Sequence, residues 1–173
     1  MLERPEDLER LQGTLDASYR RAGGHLLGIH EPERRLDAAG LSEQLQGMCL
    51  LTLATVTSDG RPITGPVDGV FYRGAFHFGS SPESLRFTHI RRRPDVSATH
   101  LPGEHLAVTV HGRAVPLDLD ETANAEFRQV LLDIYLPLYG EAWMRILEGG
   151  VYARIEPERM FAFWMPQEAD EAG

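Results

Sequence analysis

The 173-residue sequence contains no lysine, and all 17 of its basic side chains are arginines. A lysine Schiff base, the lysine of a phosphate-binding P-loop and any other lysine-centred catalysis are therefore excluded. Cysteine is almost absent as well. The single residue, Cys49, excludes an internal disulfide and any metal site built from several cysteines.

Long apolar runs and a basic charge balance are also missing. No stretch approaches the roughly 20 apolar residues of a membrane span, and the N-terminus has no apolar segment typical of a signal peptide. The formal net charge of −9 argues against nucleic-acid or anionic-membrane partners. Neither Gly-x-Ser-x-Gly nor His-Glu-x-x-His occurs, so two hydrolase signatures are absent. We expect a cytoplasmic protein with one main domain.

The first part of the chain, residues 1–47, has helical periodicity. Leu8, Leu11, Leu15 and Tyr19 recur at three- and four-residue spacing, which predicts a helix that ends near residues 20–21. A second short helix is predicted over residues 36–45. We therefore expect an N-terminal helical extension.

From Met48 onward the pattern changes to short segments rich in apolar and β-branched residues, with turn signals at Asp59-Gly60 and Arg73-Gly74. The predicted strands are Met48–Val56, Arg61–Val67, Val70–Tyr72, Ala75–Phe78, Val96–His100, Leu106–Val115, Val151–Ile155 and Met160–Trp164. The predicted helices between them are Pro82–Arg92 and Asp120–Tyr135. This arrangement indicates an α+β domain over residues 48–166, built on an antiparallel barrel or sandwich. An acidic tail, expected to be disordered, follows at residues 167–173.

One strand-to-helix junction combines residues that suit an anion. Ser80 or Ser81 is predicted to cap the following helix, and the unpaired N–H groups of a helix start attract negative charge. Serine hydroxyls add donors there, a guanidinium suits phosphate, and a glycine permits close approach of the backbone. The candidate cofactor-binding residues are Gly79, Ser80, Ser81, Ser84 and Arg86. The alternative interpretation is an ordinary helix cap without a ligand.

The order and spacing of short motifs between Met48 and Val115 resemble the pyridoxamine 5′-phosphate oxidase-like split β-barrel family. Those motifs are Leu53-Ala-Thr-Val56, Asp59-Gly-Arg-Pro62, Gly65-Pro-Val67, Phe78-Gly-Ser80, Ser84, Arg86 and Arg93-Pro-Asp-Val-Ser97. The resemblance implies a split β-barrel homodimer that binds FMN, or the deazaflavin F420 in some branches, between its subunits. It also implies oxidation or reduction of a small organic substrate.

Within that resemblance, Arg86 takes the place of a lysine that contacts the flavin phosphate, and Ser84 and Ser80 match hydroxyl positions. Other phosphate-binding positions depart from the family pattern. Gly65 replaces an arginine, and a lysine position falls at about Val70. Ala107 replaces a glutamine on the later long strand. These departures argue against a true pyridoxamine phosphate oxidase and make F420 a rival to FMN.

No catalytic residue can be assigned from the sequence, because a bound flavin-type cofactor would carry the chemistry. The alternatives are a non-catalytic carrier of flavin, deazaflavin or haem, and a relative that uses the barrel only for protein interaction. The seven histidines form no compact ligand motif, so no metal site is predicted and most are interpreted as structural or surface residues. Trp143 and Trp164 are candidates either for stacking on a flavin ring or for the core.

Overall fold

A computed structural model describes residues 2–166, so the predicted acidic tail at 167–173 lies outside the described residues. Within this range the α-helices are α1 (Pro5–Arg20), α2 (Gly24–Ile29), α3 (Ala38–Gln44), α4 (Leu85–Arg92), α5 (Ala125–Tyr139) and α6 (Met144–Gly149). The strands are β1 (Met48–Val56), β2 (Pro62–Tyr72), β3 (Ala75–Ser80), β4 (Asp95–Gly103), β5 (Leu106–Leu117) and β6 (Val151–Trp164).

The strands close into one antiparallel barrel in the order β1-β2-β3-β6-β5-β4, with β4 pairing back to β1. Strand β1 shows why the sheet closes around a core. Cys49, Leu51 and Leu53 point inward and are buried, whereas Met48 and Leu50 point outward and are exposed. The predicted α+β class with an antiparallel barrel is confirmed.

Two predicted strand breaks were wrong, because β2 and β6 are each continuous. Gly69 lies in the middle of β2, where a Cβ would come within 2.6 Å of Leu51 Cδ1, so this glycine serves close packing rather than a turn. In β6, Pro157 lies opposite Gly112 at a shift in the β5–β6 register. Such an irregularity accommodates a residue that has no N–H to donate.

The helix prediction over Asp120–Tyr135 was wrong at both ends. Asn124 Nδ2 donates to the Asp118 carbonyl at 2.6 Å, which holds the preceding residues in a turn and delays the start of α5. The helix then continues to Tyr139 and ends at Gly140, which has a φ of 66°. Helices α2 and α6 were not predicted, because each is only six residues long.

Helices α1 and α3 pack on the barrel and contribute to its core. Leu11 and Leu15 of α1 belong to the buried cluster that fills the barrel, together with Leu41 of α3. The Met160 N–H of β6 donates to Ser18 Oγ at 2.9 Å, which fixes α1 against the strand. The predicted first helix is confirmed with bounds slightly wider than its apolar stripe.

A second buried cluster lies outside the barrel wall. It packs Val70 and Tyr72 of β2 and Tyr152 of β6 beneath α5 and α6. These helices cover one side of the barrel and bring their aromatic side chains close to the end of β3.

The outer surface of β1, β2 and β4 remains exposed and carries few charges. We call it the open face, and it comprises Leu50, Thr52, Pro66, Thr99 and Leu101, together with Asp68, which pairs with Leu50. Thr52 pairs with Pro66 on one side and Thr99 on the other, so all three side chains share one surface of the sheet. Leu50 is 57% exposed and Leu101 is 63% exposed.

No helix between residues 2 and 166 is long and apolar enough to cross a membrane.

Candidate functional site

The junction between β3 and α4 differs in detail from its prediction. Helix α4 begins at Leu85 rather than Pro82, and Ser84 is its cap, with Oγ accepting from the Phe87 N–H at 3.4 Å. The assignment of the cap to Ser80 or Ser81 was therefore wrong. Ser81 instead shapes a turn, because its carbonyl accepts from the Ser84 N–H at 3.0 Å.

The structure brings Arg86 and Ser80 together at this junction. Arg86 Nη1 donates to Ser80 Oγ at 3.3 Å, and Nη2 donates to the Pro66 carbonyl at 2.8 Å. We call Ser80, Ser84, Arg86 and the Pro66 carbonyl the arginine corner. Partial burial lowers the pKa of the Arg86 guanidinium, but its ordinary value is so high that the group stays charged.

Unused hydrogen-bond donors converge on the arginine corner. A guanidinium has five N–H groups, and Arg86 has acceptors for two of them within residues 2–166. No carboxylate in that range forms an ion pair with Arg86. A partly desolvated guanidinium next to a hydroxyl and a helix start is suited to an anion such as phosphate.

The remaining predicted site residues have other neighbours. Ser81 is exposed in the turn before α4. A Cβ at Gly79 would lie 2.6 Å from Cε1 of Tyr152, so the glycine makes room for that ring. This packing is a different reason for the glycine from the one predicted, which was close approach to a ligand.

The two positions at which the family pattern has a basic residue, Gly65 and Val70, cannot supply the missing charges. A Cβ at Gly65 would lie 3.4 Å from Arg86 Nη2, so the guanidinium occupies the space next to this glycine. Val70 is buried under α5 and α6, facing away from the solvent. Arg86 therefore carries the positive charge of the corner alone among these positions.

A cavity of about 320 Å³ lies between the end of β3 and helices α5 and α6. We call it the aromatic cavity. Its lining includes His77, Ser80, Phe127, Tyr135, Trp143 and Tyr152. The rings of Tyr135 and Trp143 lie almost parallel, with 4.8 Å between centroids and 12° between planes. Sequence reasoning noted Trp143 as a possible ring contact but missed the cavity, because α6 and the path of α5 were not predicted.

His77 lies in the wall of the aromatic cavity and is 5% exposed. Its Nδ1 lies 3.1 Å from the Ala75 carbonyl oxygen, so that nitrogen carries the proton. Burial lowers the pKa of His77 to about 4, and the positive charges of Arg154 and Arg73 act in the same direction. The imidazole is therefore neutral at pH 7.

This neutral imidazole predicts acid sensitivity of the fold. In the unfolded chain His77 takes up a proton below about pH 6.5, whereas in the folded protein it does so only near pH 4. Protonation between these pH values favours unfolding. The stability that the neutral His77 imidazole contributes is therefore fully present above pH 6.5 and is lost as the pH falls towards 4. In His77→Phe, we expect this loss between pH 7 and pH 4.5 to be smaller by roughly 2 kcal/mol.

Urea denaturation of both proteins at the two pH values measures that difference. His25→Phe is the matched control, because His25 is exposed on α2. An unchanged acid limb in His77→Phe would rule out His77 as its source.

The other histidines mostly have protein partners. His89 Nδ1 lies 2.9 Å from Thr55 Oγ1, His100 Nδ1 lies 2.9 Å from the Leu50 carbonyl, and His111 Nδ1 lies 2.8 Å from Ser97 Oγ. In the part of the chain that the structure describes, no three ligating side chains cluster as a metal site would require.

The sequence matches no protein-family model and no curated protein. Solved structures do resemble this chain. A conserved hypothetical protein from Mycobacterium tuberculosis has a TM-score of 0.62 and 18% identity, over 79% of this chain and 92% of that chain. A FAD-binding protein from Mesorhizobium loti has a TM-score of 0.58 and 22% identity, over 77% of this chain and 98% of that chain. The haem storage protein of Vibrio cholerae has a TM-score of 0.59 and 20% identity, over 78% and 93%.

An F420 reductase also has this fold, with a TM-score of 0.50 and 17% identity over 69% of this chain and 94% of that chain. Together these likenesses establish the fold, and the expected split β-barrel is confirmed. Proteins that share it are described by three different cofactors, so the fold alone does not select one.

Proposed function

We propose that this protein is an oxidoreductase that uses FMN or F420 to oxidise or reduce a small organic molecule. The observation that carries the proposal is the arginine corner: a charged, partly buried guanidinium with unused donors next to a serine, at a strand-to-helix junction. It is supported by a fold that also occurs in a FAD-binding protein and an F420 reductase.

The corner fits the phosphate of such a cofactor. Arg86 would hold the phosphate through its free N–H groups, and Ser80, Ser81 and Ser84 would contribute hydroxyl donors, with Gly79 at the edge of the site. A phosphate monoester such as that of FMN carries about −1.5 to −2 charges at neutral pH, and one guanidinium offsets only one of them. Because the arginine corner offsets only part of the charge of an FMN phosphate, F420 remains the alternative cofactor.

When bound, the cofactor would supply the hydride or electron transfer. The chain's own residues would bind and orient it. Arg86 fixes the anionic end, and the packing of Tyr152 against Gly79 holds the strand end to which Ser80 belongs. The aromatic cavity beside Ser80 would provide a largely apolar surface next to the bound cofactor.

A second copy of this chain is the proposed partner on the open face. Leu50 and Leu101 expose apolar surface on adjacent strands, and burial of such a patch against an identical one would be favourable. Pro66 belongs both to the open face and to the arginine corner. A copy docked there would lie beside Arg86 and help to enclose the cofactor.

Leu50→Arg tests this homodimer. The introduced guanidinium would lose its hydration within the proposed interface, so we expect the variant to sediment as a monomer and to lose cofactor affinity as well. Ile29→Arg is the control, because it places the same charge on an exposed apolar side chain of α2. Sedimentation velocity measures the mass of each variant. A Leu50→Arg variant that keeps the mass of a dimer would place the interface elsewhere.

The absorption spectrum of the purified protein tests the cofactor. A band near about 450 nm would indicate a flavin, one near about 420 nm F420, and a Soret band haem. Turnover of the bound cofactor after addition of a reductant and candidate oxidants then tests the oxidoreductase activity. A protein that binds neither FMN nor F420 would overturn the proposal.

A non-catalytic carrier is the second candidate. The haem storage protein of Vibrio cholerae shares the fold, and the corner has only one of the expected cations. Cofactor binding without turnover, or a Soret band, would favour this alternative.

A further inference from the structure

The aromatic cavity has a feature that ordinary core packing does not explain. Tyr135 is 5% exposed, yet its hydroxyl has no hydrogen-bond partner within residues 2–166. It is not among the fully enclosed polar atoms without a partner, so the hydroxyl borders open space. Tyr135 lines the aromatic cavity, which places a free hydrogen-bond donor at its surface.

The shape of the cavity selects flat molecules. The parallel rings of Tyr135 and Trp143 form one wall, and His77 and Phe127 lie against each other with centroids 4.4 Å apart in another part of the lining. Aromatic surfaces of this kind favour stacked or edge-on contact with another ring. A volume of about 320 Å³ is at the lower end for ligand pockets, which limits the occupant to one or two rings.

The charges around the cavity select an uncharged occupant. His77 is neutral at pH 7 and the other inner walls are carbon-rich. Asp68 and Arg145 also line the cavity, but both are exposed and have opposite signs. An ionised group in the interior would lose its hydration without a matched partner.

We propose that the aromatic cavity binds a small, planar, uncharged aromatic compound whose oxygen or ring nitrogen accepts a hydrogen bond from Tyr135. The cavity adjoins the proposed cofactor position, because Gly79, Ser80 and Ser81 belong to its lining. Arg86 does not line the cavity and donates instead to the Pro66 carbonyl. The ligand's role as substrate of the oxidoreductase rests on the proposed function, whereas its binding does not.

The two tryptophans make the binding measurable without any cofactor. Trp143 lines the cavity, whereas Trp164 lies at the end of β6, paired with Leu106, and is not part of the lining. The probe is 4-iodobenzamide, an uncharged aromatic carboxamide whose iodine quenches indole fluorescence on contact. We expect saturable quenching in Trp164→Phe, which keeps Trp143, and only linear collisional quenching in Trp143→Phe. Linear quenching in Trp164→Phe, or saturation in Trp143→Phe, would overturn the proposal.

A second comparison tests the hydroxyl. In Tyr135→Phe we expect calorimetric affinity for 4-iodobenzamide to fall about 2- to 10-fold, the range for one neutral hydrogen bond. Tyr139→Phe is the matched control, because Tyr139 is exposed on the same helix and does not line the cavity. Equal affinity in the two variants would show that the Tyr135 hydroxyl does not donate a hydrogen bond to the ligand. The fold should tolerate both changes, since the Tyr135 hydroxyl makes no internal hydrogen bond in the described chain.

The charge preference has its own test. We expect 4-iodobenzoate, which differs from the carboxamide by its negative charge, to bind at least about tenfold more weakly. Tighter binding of the carboxylate would overturn the uncharged ligand class. Because every titration uses protein free of cofactor, a failure here leaves the proposed oxidoreductase untouched, and failure of cofactor binding leaves this site testable.

Discussion

Arg86→Ala is expected to weaken binding of the phosphorylated cofactor about 10- to 100-fold. The substitution removes the one guanidinium of the arginine corner, and a hydrogen bond to a charged group contributes about 1.5–3 kcal/mol. No carboxylate pairs with Arg86 among residues 2–166, so the loss comes from the contact with the ligand rather than from a broken ion pair. Titration with FMN and with F420, followed by cofactor fluorescence, measures the effect.

Two further variants separate the contact from the charge. Arg91→Ala makes the same change in net charge on the same helix. Arg91 is exposed and, within residues 2–166, donates to Thr88 Oγ1 alone, so the cofactor affinity of this variant should match that of the native chain. Arg86→Lys should give an intermediate affinity, since an ammonium keeps the charge but not the planar fork. If Arg86→Ala binds the cofactor as tightly as the native chain does, the phosphate does not bind at the arginine corner.

Gly112→Ala is expected to destabilise the protein by about 3 kcal/mol or more. A Cβ at this position would lie 2.0 Å from the carbonyl oxygen of Glu156, and this oxygen belongs to the paired strand β6. A backbone atom cannot rotate away as a side chain can, so the β5–β6 pairing itself must shift. For a chain of this size, thermal unfolding should show a midpoint lower by about 6–12 °C.

Gly13→Ala is the matched substitution with the opposite expected sign. Gly13 lies exposed within α1, and a Cβ there would meet no atom within 4 Å. Alanine favours the helix over glycine by about 0.8–1 kcal/mol, so the midpoint should rise slightly. A small or absent effect in Gly112→Ala would mean that the β5–β6 pairing at this position can shift to accommodate a Cβ at little cost.

Strand β1 and helix α1 illustrate what could be predicted from the sequence. Their apolar residues alternate or recur with a period that burial on one side requires, and both were predicted with bounds close to those observed. Elements whose limits depend on distant contacts were less predictable. The interruption expected in β2 at Gly69 does not exist, because that glycine accommodates Leu51 from the neighbouring strand.

The candidate site shows the same division. Arg86 and Ser80 were predicted as site residues from their side-chain chemistry at a strand-to-helix junction and from the family resemblance, and they do form a hydrogen bond. The helix cap was assigned to the wrong serine. Residue preferences do not distinguish a turn over residues 81–84 from the first turn of a helix, because serine, proline and glutamate are common in both. The aromatic cavity was not predicted at all. Its walls come from β3, α5 and α6, which meet only after the barrel has closed.

The sequence by itself determined the absence of lysine chemistry and the α+β class with short antiparallel strands, because each depends on composition or local periodicity. Tertiary structure alone decided that Pro66 supplies a carbonyl to Arg86 and that Gly79 makes room for the Tyr152 ring. It also decided that the Tyr135 hydroxyl has no hydrogen-bond partner among residues 2–166. The physical reason is that these contacts join segments far apart in the chain, and their distances are fixed by how the strands close and the helices pack.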